Sequence, residues 1–380
     1  MANENVITGL IAPVYKAADR VLREQIGFLG AVYLDPAAEM VAKDQNITYP
    51  IVPAMTATDV APAAVPTEPA GATVSYGTMT ISKIKKAAFV WKGEEQFSLD
   101  GIYDNVKADQ IAQAFRTLIN EVEADLALAA IGGASRAYGT AGTTPFGTAA
   151  DLTDVAQIRK ILVDNGAWTS DMHLVLNSTS GAKIRGTQSN LFKVNEAGTE
   201  SLLRDGSLGN LEGFGLHESS QILLHTKGTG TGWVFNGTHA VGVTTITAKS
   251  GSGTLLVGDI LTFESDAVNK FVANSTLAAN VFTIGKPGMK VQETDGKNIT
   301  IGNNYTANLA FERNALHLLT RLPKLPKEGA LGEHHVVTDP YSGISFLVSA
   351  YPGYHEVIIE VALAWGAKAV KSDAIAILLG

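Results

Sequence analysis

The chain has 380 residues, a formal net charge of −8 and no cysteine. That length suffices for two or three domains with buried cores, and the absence of cysteine excludes disulfides, thiol catalysis and cysteine metal sites, in keeping with a reducing cytoplasm. The charge is not gathered into a tail or a basic block, so DNA contact is expected to be weak and indirect. Residues 1–5 lack the parts of a secretion signal, and no run of eighteen apolar residues predicts a membrane span.

From the N-terminus, residues 11–34 predict a helix with Val14, Ala17, Ala18, Val21, Leu22 and Ile26 on one face, ending near Gly27 and Gly30. So short a helix is expected to dock on the body or on a neighbour. A strand at 47–52 leads into residues 54–72, where Pro62, Pro66 and Pro69 bar helix and predict an extended, exposed tip. Residues 73–91 return as strand. Together these make a hairpin arm that is marginal in water without a cover. Lys83, Lys85, Lys86 and Lys92 make it basic against an acidic remainder. They read either as a solvated face or as a contact with an acidic neighbour. Under the second reading, replacing Lys85 and Lys86 by Glu is expected to weaken assembly and leave folding intact.

Residues 105–132 hold the longest helical pattern, N-capped by Asp104 or Asn105. Ile111, Phe115, Leu118, Ile119, Val122, Leu126 and Ala129 recur at threes and fours, with Glu121, Glu123 and Asp125 between them. Such a helix is roughly 40 Å long. Its stripe is expected to pack on strands around 357–363, and its polar face to be exposed or in subunit contact.

A Gly/Ala/Ser/Thr-rich connector at 132–150 precedes a helix at 151–165, a buried strand at 173–176, a helix from 178 and strands within 210–225, which together predict a mixed α/β domain. Residues 226–306 show about six short strands and no helical period. Asn236-Gly237 and Asp295-Gly296 read there as two-residue hairpin turns, and a small inserted β-barrel is predicted. Residues 308–322 predict a helix stopped by Pro323. Residues 344–351 and 355–370 predict strands, and the apolar 374–379 a buried end.

Motifs of chemistry are absent. Gly285-Lys286 is followed by Pro287 and Gly296-Lys297 by Asn298, so neither forms a phosphate loop. Gly228-Thr229-Gly230-Thr231-Gly232 lacks the strand-before, helix-after context of a dinucleotide site. His217-Glu218-Ser219 lacks the second histidine of a zinc helix, and the adjacent His334-His335 would point to opposite sides of an extended chain. No constellation calls for an enzyme, a cofactor or a metal.

The order of parts resembles the major capsid proteins of tailed bacteriophages, the Hong Kong 97-type fold. Leu203-Arg204-Asp205-Gly206-Ser207-Leu208-Gly209 with Leu211-Glu212-Gly213-Phe214 is similar to the turn-and-strand signature of these coats. Ala362-Leu363-Ala364-Trp365-Gly366 with Asp373-Ala374-Ile375 is similar to the C-terminal strands of the podovirus coat branch, whose inserted barrel Leu255-Leu256-Val257-Gly258-Asp259-Ile260-Leu261-Thr262-Phe263 resembles. The resemblance implies an α+β fold with an N-arm at 1–45 and an extended β-hairpin loop at 46–98. A peripheral domain at 99–150 and 324–380 would carry the spine helix, an axial α/β domain would comprise 151–226 and 307–323, and the barrel would occupy 227–306. It further implies inter-subunit contacts through Lys83, Lys85, Lys86, Trp91, Lys92, Tyr15, Arg20 and Arg23, with Ile111, Phe115, Leu118, Val122 and Leu126 as the core face of the spine.

The implied function is a structural coat that self-assembles, through hexamers and pentamers, into an icosahedral head around double-stranded DNA. Its place is the virion, after assembly in the bacterial cytoplasm, with a portal as partner and no cofactor, enzyme activity or membrane. The residues before the spine are already used by arm and hairpin, so a separate scaffolding protein, or none, is expected. The alternatives are an encapsulin-like compartment shell and a β-rich binding module. Closed shells would support either shell reading, and a stable monomer with ligand affinity the module.

Overall fold

The computed structural model describes residues 22–36, 40–41, 43–52, 57, 74–99, 101, 103–149, 151–187, 209–326 and 331–380. Residues 22–27 carry no helix and residues 33–35 are a strand, so the helix predicted over 11–34 does not form over its described part. Its first half, the proline-rich 58–72 and the signature at 203–208 lie outside the described residues.

β1 (Tyr33–Asp35) and β2 (Met40–Val41) precede the hairpin of β3 (Asn46–Ile51) and β4 (Ser75–Thr80), which pair antiparallel as a two-stranded sheet. β5 (Lys83–Lys92) then leaves the arm. The basic strand belongs to the body, where it runs the length of β21 (Glu356–Ala369). The short α1 (Gly93–Ser98) leads into α2 (Tyr103–Gly133), a single 31-residue helix that begins two residues ahead of the predicted start.

Beyond α2, the connector contributes β6 (Arg136–Tyr138). α3 (Thr153–Asp164), β7 (Met172–Asn177) and α4 (Ser178–Thr187) follow as their periodicities predict. β8 (Asn210–Leu211), β9 (Phe214–Ser219) and β10 (Leu224–His225) complete this part.

Between 226 and 304 lie β11 (Trp233–Phe235), β12 (Thr245–Lys249), β13 (Ile260–Phe263), β14 (Asp266–Val272), β15 (Val281–Thr283) and β16 (Asn298–Ile301). They pair in the order β15-β12-β11-β16-β13-β14, and a bridge between Ala273 and Ile284 joins the two ends, closing a barrel. Trp233, Phe235, Leu261, Phe263, Phe271 and Phe282 fill it. The two Gly dipeptides do not make two-residue hairpins. β11 reaches β12 through a longer loop, and the strand after Asp295-Gly296 pairs with β11 and β13. The turns brace one another instead, as Asp295 accepts the N–H of Gly237 at 2.7 Å.

The predicted helix at 308–322 is two strands, β17 (Tyr305–Glu312) and β18 (Leu316–Pro323), joined by a 3-10 turn at Arg313–Ala315. Nearly every residue of both strands is buried, because each has a packed layer on either face. A strand covered on both sides loses its alternation, and its apolar run is then indistinguishable from that of a buried helix. The two strands also part company. β17 lies between β7 and β22 (Ile375–Leu379), whereas β18 joins β21 in the sheet under α2, so 316–323 sits apart from the α/β part to which the resemblance assigns it.

β19 (Glu333–Thr338) and β20 (Ser345–Pro352) extend that same sheet. The main core sits where α2 meets both sheets. Phe115, Leu118, Val122 and Leu126 of the helix pack with Val361, Leu363, Trp365 and Phe346 on one side and with Phe311, Ile375 and Ile377 on the other. Ile111 joins them partly buried, so the stripe meets the C-terminal strands as its spacing predicts. The opposite face of β7, β17 and β22 (Leu174, Leu176, Ala310, Leu378) packs on Val155, Ile158 and Leu162 of α3.

Candidate assembly surfaces

The predicted contact lysines are engaged within their own chain. Lys83 pairs with Asp125 at 2.7 Å, Lys85 with Glu121 at 2.5 Å and Lys86 with Glu360 at 2.7 Å. Their acidic partners are therefore Asp125 and Glu121 of α2 and Glu360 of β21. Trp91 is buried edge-on against Tyr103, and the backbone N–H of Lys92 donates to Glu95. Arg23 pairs with Asp339 at 2.7 Å and lies over the ring of Tyr341. Tyr15 and Arg20 lie outside the described residues.

Glu123 departs furthest from its expected place on a polar helix face: it is wholly buried. Its carboxylate accepts the backbone N–H groups of Gly27 (3.1 Å), Phe28 (3.2 Å) and Leu29 (2.9 Å) and the hydroxyl of Ser219 (2.8 Å). Burial pushes its pKa up, against the pull of those donors. The same strap is tied again where Arg116 and Asn120 donate to Glu24, holding that carboxyl down at about 2. Residues 23–29 thus lie fastened along the spine and against β9. Periodicity cannot find such a contact, because a buried Glu and an exposed one share a helical position.

The hairpin is rooted in β21. Ile81 is buried with Ala364, and residues 44–45 exchange backbone hydrogen bonds with it. At Gly366 a Cβ would lie 2.2 Å from the carbonyl oxygen of Thr80, so only glycine allows β4 so close. Lys368 reinforces the root, donating to the Thr78 carbonyl and facing the ring of Tyr49.

Past the root the arm is bare. The pairings Pro50–Tyr76 and Thr48–Thr78 set alternate residues on one face, which continues outward with Val52 and Val74. Tyr76 is 70% exposed, and Val52 and Val74 are also exposed. A second apolar surface lies at the opposite end of β21, roughly 35 Å away at the rise of a strand. There Gly93 donates to the His355 carbonyl, and Phe97 and Tyr354 stand 85% and 92% exposed. Among the described residues no group of three His, Asp or Glu could hold a metal ion, and no helix is long and apolar enough to cross a membrane.

Residues 92–264, from the end of β5 through α2 into the barrel, match the family model described as P22 coat protein, gene protein 5. Solved structures share the fold over nearly the whole chain. One from Mycobacterium phage Che8 is 13% identical, with 98% of each chain covered and a TM-score of 0.53. The capsid of Cyanophage P-SCSP1u is 9% identical over 97% of this chain and 93% of that one, with a TM-score of 0.54. The mature capsid of bacteriophage PhiM1 is 9% identical over 95% and 89%, with a TM-score of 0.52. In sequence over residues 92–264, and in fold over nearly all of its length, the chain is similar to phage coat and capsid proteins. No curated protein matches it in sequence.

Proposed function

We propose that this chain builds the icosahedral head around phage double-stranded DNA by heterologous contacts between copies, arranged as hexamers and pentamers. Its role is structural and not enzymatic. What carries the reading is the pair of bare apolar surfaces beyond opposite ends of β21. The hairpin face of Pro50, Val52, Val74 and Tyr76 and the tip of Phe97 and Tyr354 are too far apart to cover each other within one chain. Nothing among the described residues covers either, a second copy supplies the cover, and head-to-tail pairing of unlike surfaces propagates into a closed shell when the rotation permits.

In this arrangement residues up to 45 act as an N-arm and 46–81 as the extended loop. α2 with β5 and β18–β21 is the peripheral part, α3, α4, β7–β9 and β17 are the axial part, and 227–304 is the inserted barrel. Assembly takes place in the host cytoplasm, with a portal and a separate scaffolding protein as partners and only weak, non-specific contact with the packaged DNA.

Purified chain viewed by negative-stain microscopy should give closed shells. A Val74→Asp/Tyr76→Asp double variant should remain a folded, soluble protomer of unchanged thermal stability and fail to form them. Shells of normal yield from the double variant would refute the hairpin contact, and a monomer that never assembles would refute the function.

A further inference from the structure

Where the strap ends, at Gly30, four polar side chains converge. His173 on β7 and His217 on β9 meet through Nδ1 and Nε2 at 3.1 Å. The other nitrogen of His173 lies 2.9 Å from Asp171 and 3.0 Å from the Arg313 guanidinium. Arg313 also donates to Asp171 at 2.8 Å and, at 3.2 Å, to the carbonyl oxygen of Gly30. Arg313 is thus the side chain that bonds the strap at Gly30, and it reaches His217 only through His173. His173 is buried and His217 half-buried, and the site lies beside Phe311, which stacks on Phe28 of the strap.

A 3.1 Å nitrogen–nitrogen contact holds one proton, because a second would set N–H against N–H. The two rings can therefore carry at most one charge between them without parting. A full positive charge already stands on Arg313, and the single carboxylate, Asp171, is shared by Arg313 and His173. Among the described residues no other ionised group faces the pair. Glu218 belongs to the other face of β9 and pairs with Arg185, Glu312 is taken by Asn314, and Arg23 and Glu24 of the strap are held by Asp339 and Arg116.

We propose that His173, His217 and Arg313 form an acid-sensitive catch for the N-terminal strap, closed while the imidazole pair is neutral and opened when the pair is protonated beside the guanidinium. Protonation of His173 at Nε2 removes the lone pair that accepts from Arg313 and sets N–H against the guanidinium, which loosens the bond of Arg313 to the Gly30 carbonyl and so the point from which the chain runs towards its N-terminus. The lowered pKa of both histidines, caused chiefly by burial, accords with this: stability conferred by the neutral pair is present above the ordinary histidine pKa of about 6.5 and is lost below it. Glu24 ionises far below this window. Glu123 acts in the opposite sense, because a carboxyl with a raised pKa favours the folded form as pH falls.

The test is amide hydrogen exchange on the full-length chain at pH 7.5 and 5.0, corrected for intrinsic rates. Residues 28–34 should lose protection at pH 5.0 relative to pH 7.5. His217→Gln keeps a hydrogen bond to His173 without titrating, and should retain protection at both pH values. His173→Gln, carrying the same expectation, serves if the first variant misfolds. Unchanged protection in the native chain, or an equal loss in either glutamine variant, would overturn the catch.

Discussion

Trp365 donates its indole N–H to Asp125 at 2.7 Å, from the middle of β21 to the spine helix. The other oxygen of the same carboxylate takes Lys83 of β5, also at 2.7 Å. One side chain thereby fixes the helix to two neighbouring strands, and through β21 to the root of the hairpin. Asp125→Ala should cost about 2–3 kcal/mol, since it strands a buried indole donor and removes a charge-assisted bond. Equilibrium denaturation of the unassembled chain reads the loss, and a change below about 0.5 kcal/mol would deny the bond its role.

Glu123→Ala leaves three backbone N–H groups without an acceptor inside the core. A loss of about 3 kcal/mol or more is expected, with rapid exchange at Gly27, Phe28 and Leu29. Glu123→Gln keeps one acceptor oxygen and should fall between this variant and the native chain.

The strap also has an acid limit of its own. Glu24 is depressed from 4.5 to about 2, first by its bond from Arg116, so its contribution is complete above 4.5 and drains away as pH falls towards 2. Glu24→Gln should flatten the stability profile across that interval and lower stability throughout the plateau above pH 4.5. A profile parallel to that of the native chain would show that the pair contributes nothing.

Gly366→Ala drives a methyl group into the Thr80 carbonyl, a backbone atom with little room to yield. A cost of about 1–3 kcal/mol is expected, together with faster exchange at 44–45 and 78–81, where the hairpin meets the body. Gly93→Ala, with open space around its Cβ position, is the control and should show neither effect.

Lys85→Glu/Lys86→Glu sets new carboxylates beside Glu121 and Glu360 of the same chain. Both lysines are well exposed, so the loss should be no more than about 1 kcal/mol in all, and it should shrink with added salt. Because that loss falls on the protomer, the folding-neutral outcome expected from sequence alone does not hold. An unchanged melting temperature at low salt would restore it.

Much of the architecture is legible from local pattern. The 3.6-residue stripe of Ile111 to Leu126, the helix-strand-helix run through 187, the six barrel strands and the buried Ile375–Leu379 follow from periodicity, because each has one covered face or a distinct composition. Residues 308–322 fail for the converse reason: strands sandwiched on both faces keep no period. The lysines of β5 mislead in another way, since charge names the sign of a partner but not the chain that supplies it. Glu123, Gly366 and the His173–His217 pair have no local signature at all. Their partners lie between 44 and 286 residues away in sequence, and only the folded chain brings them together. Sequence alone thus determines that a long amphipathic helix organises this protein, because periodicity is a local property of the chain. That the helix holds the N-terminal strap through a buried carboxylate, and that Tyr76 of the hairpin stays exposed, is decided by tertiary packing, which sets who is buried against whom.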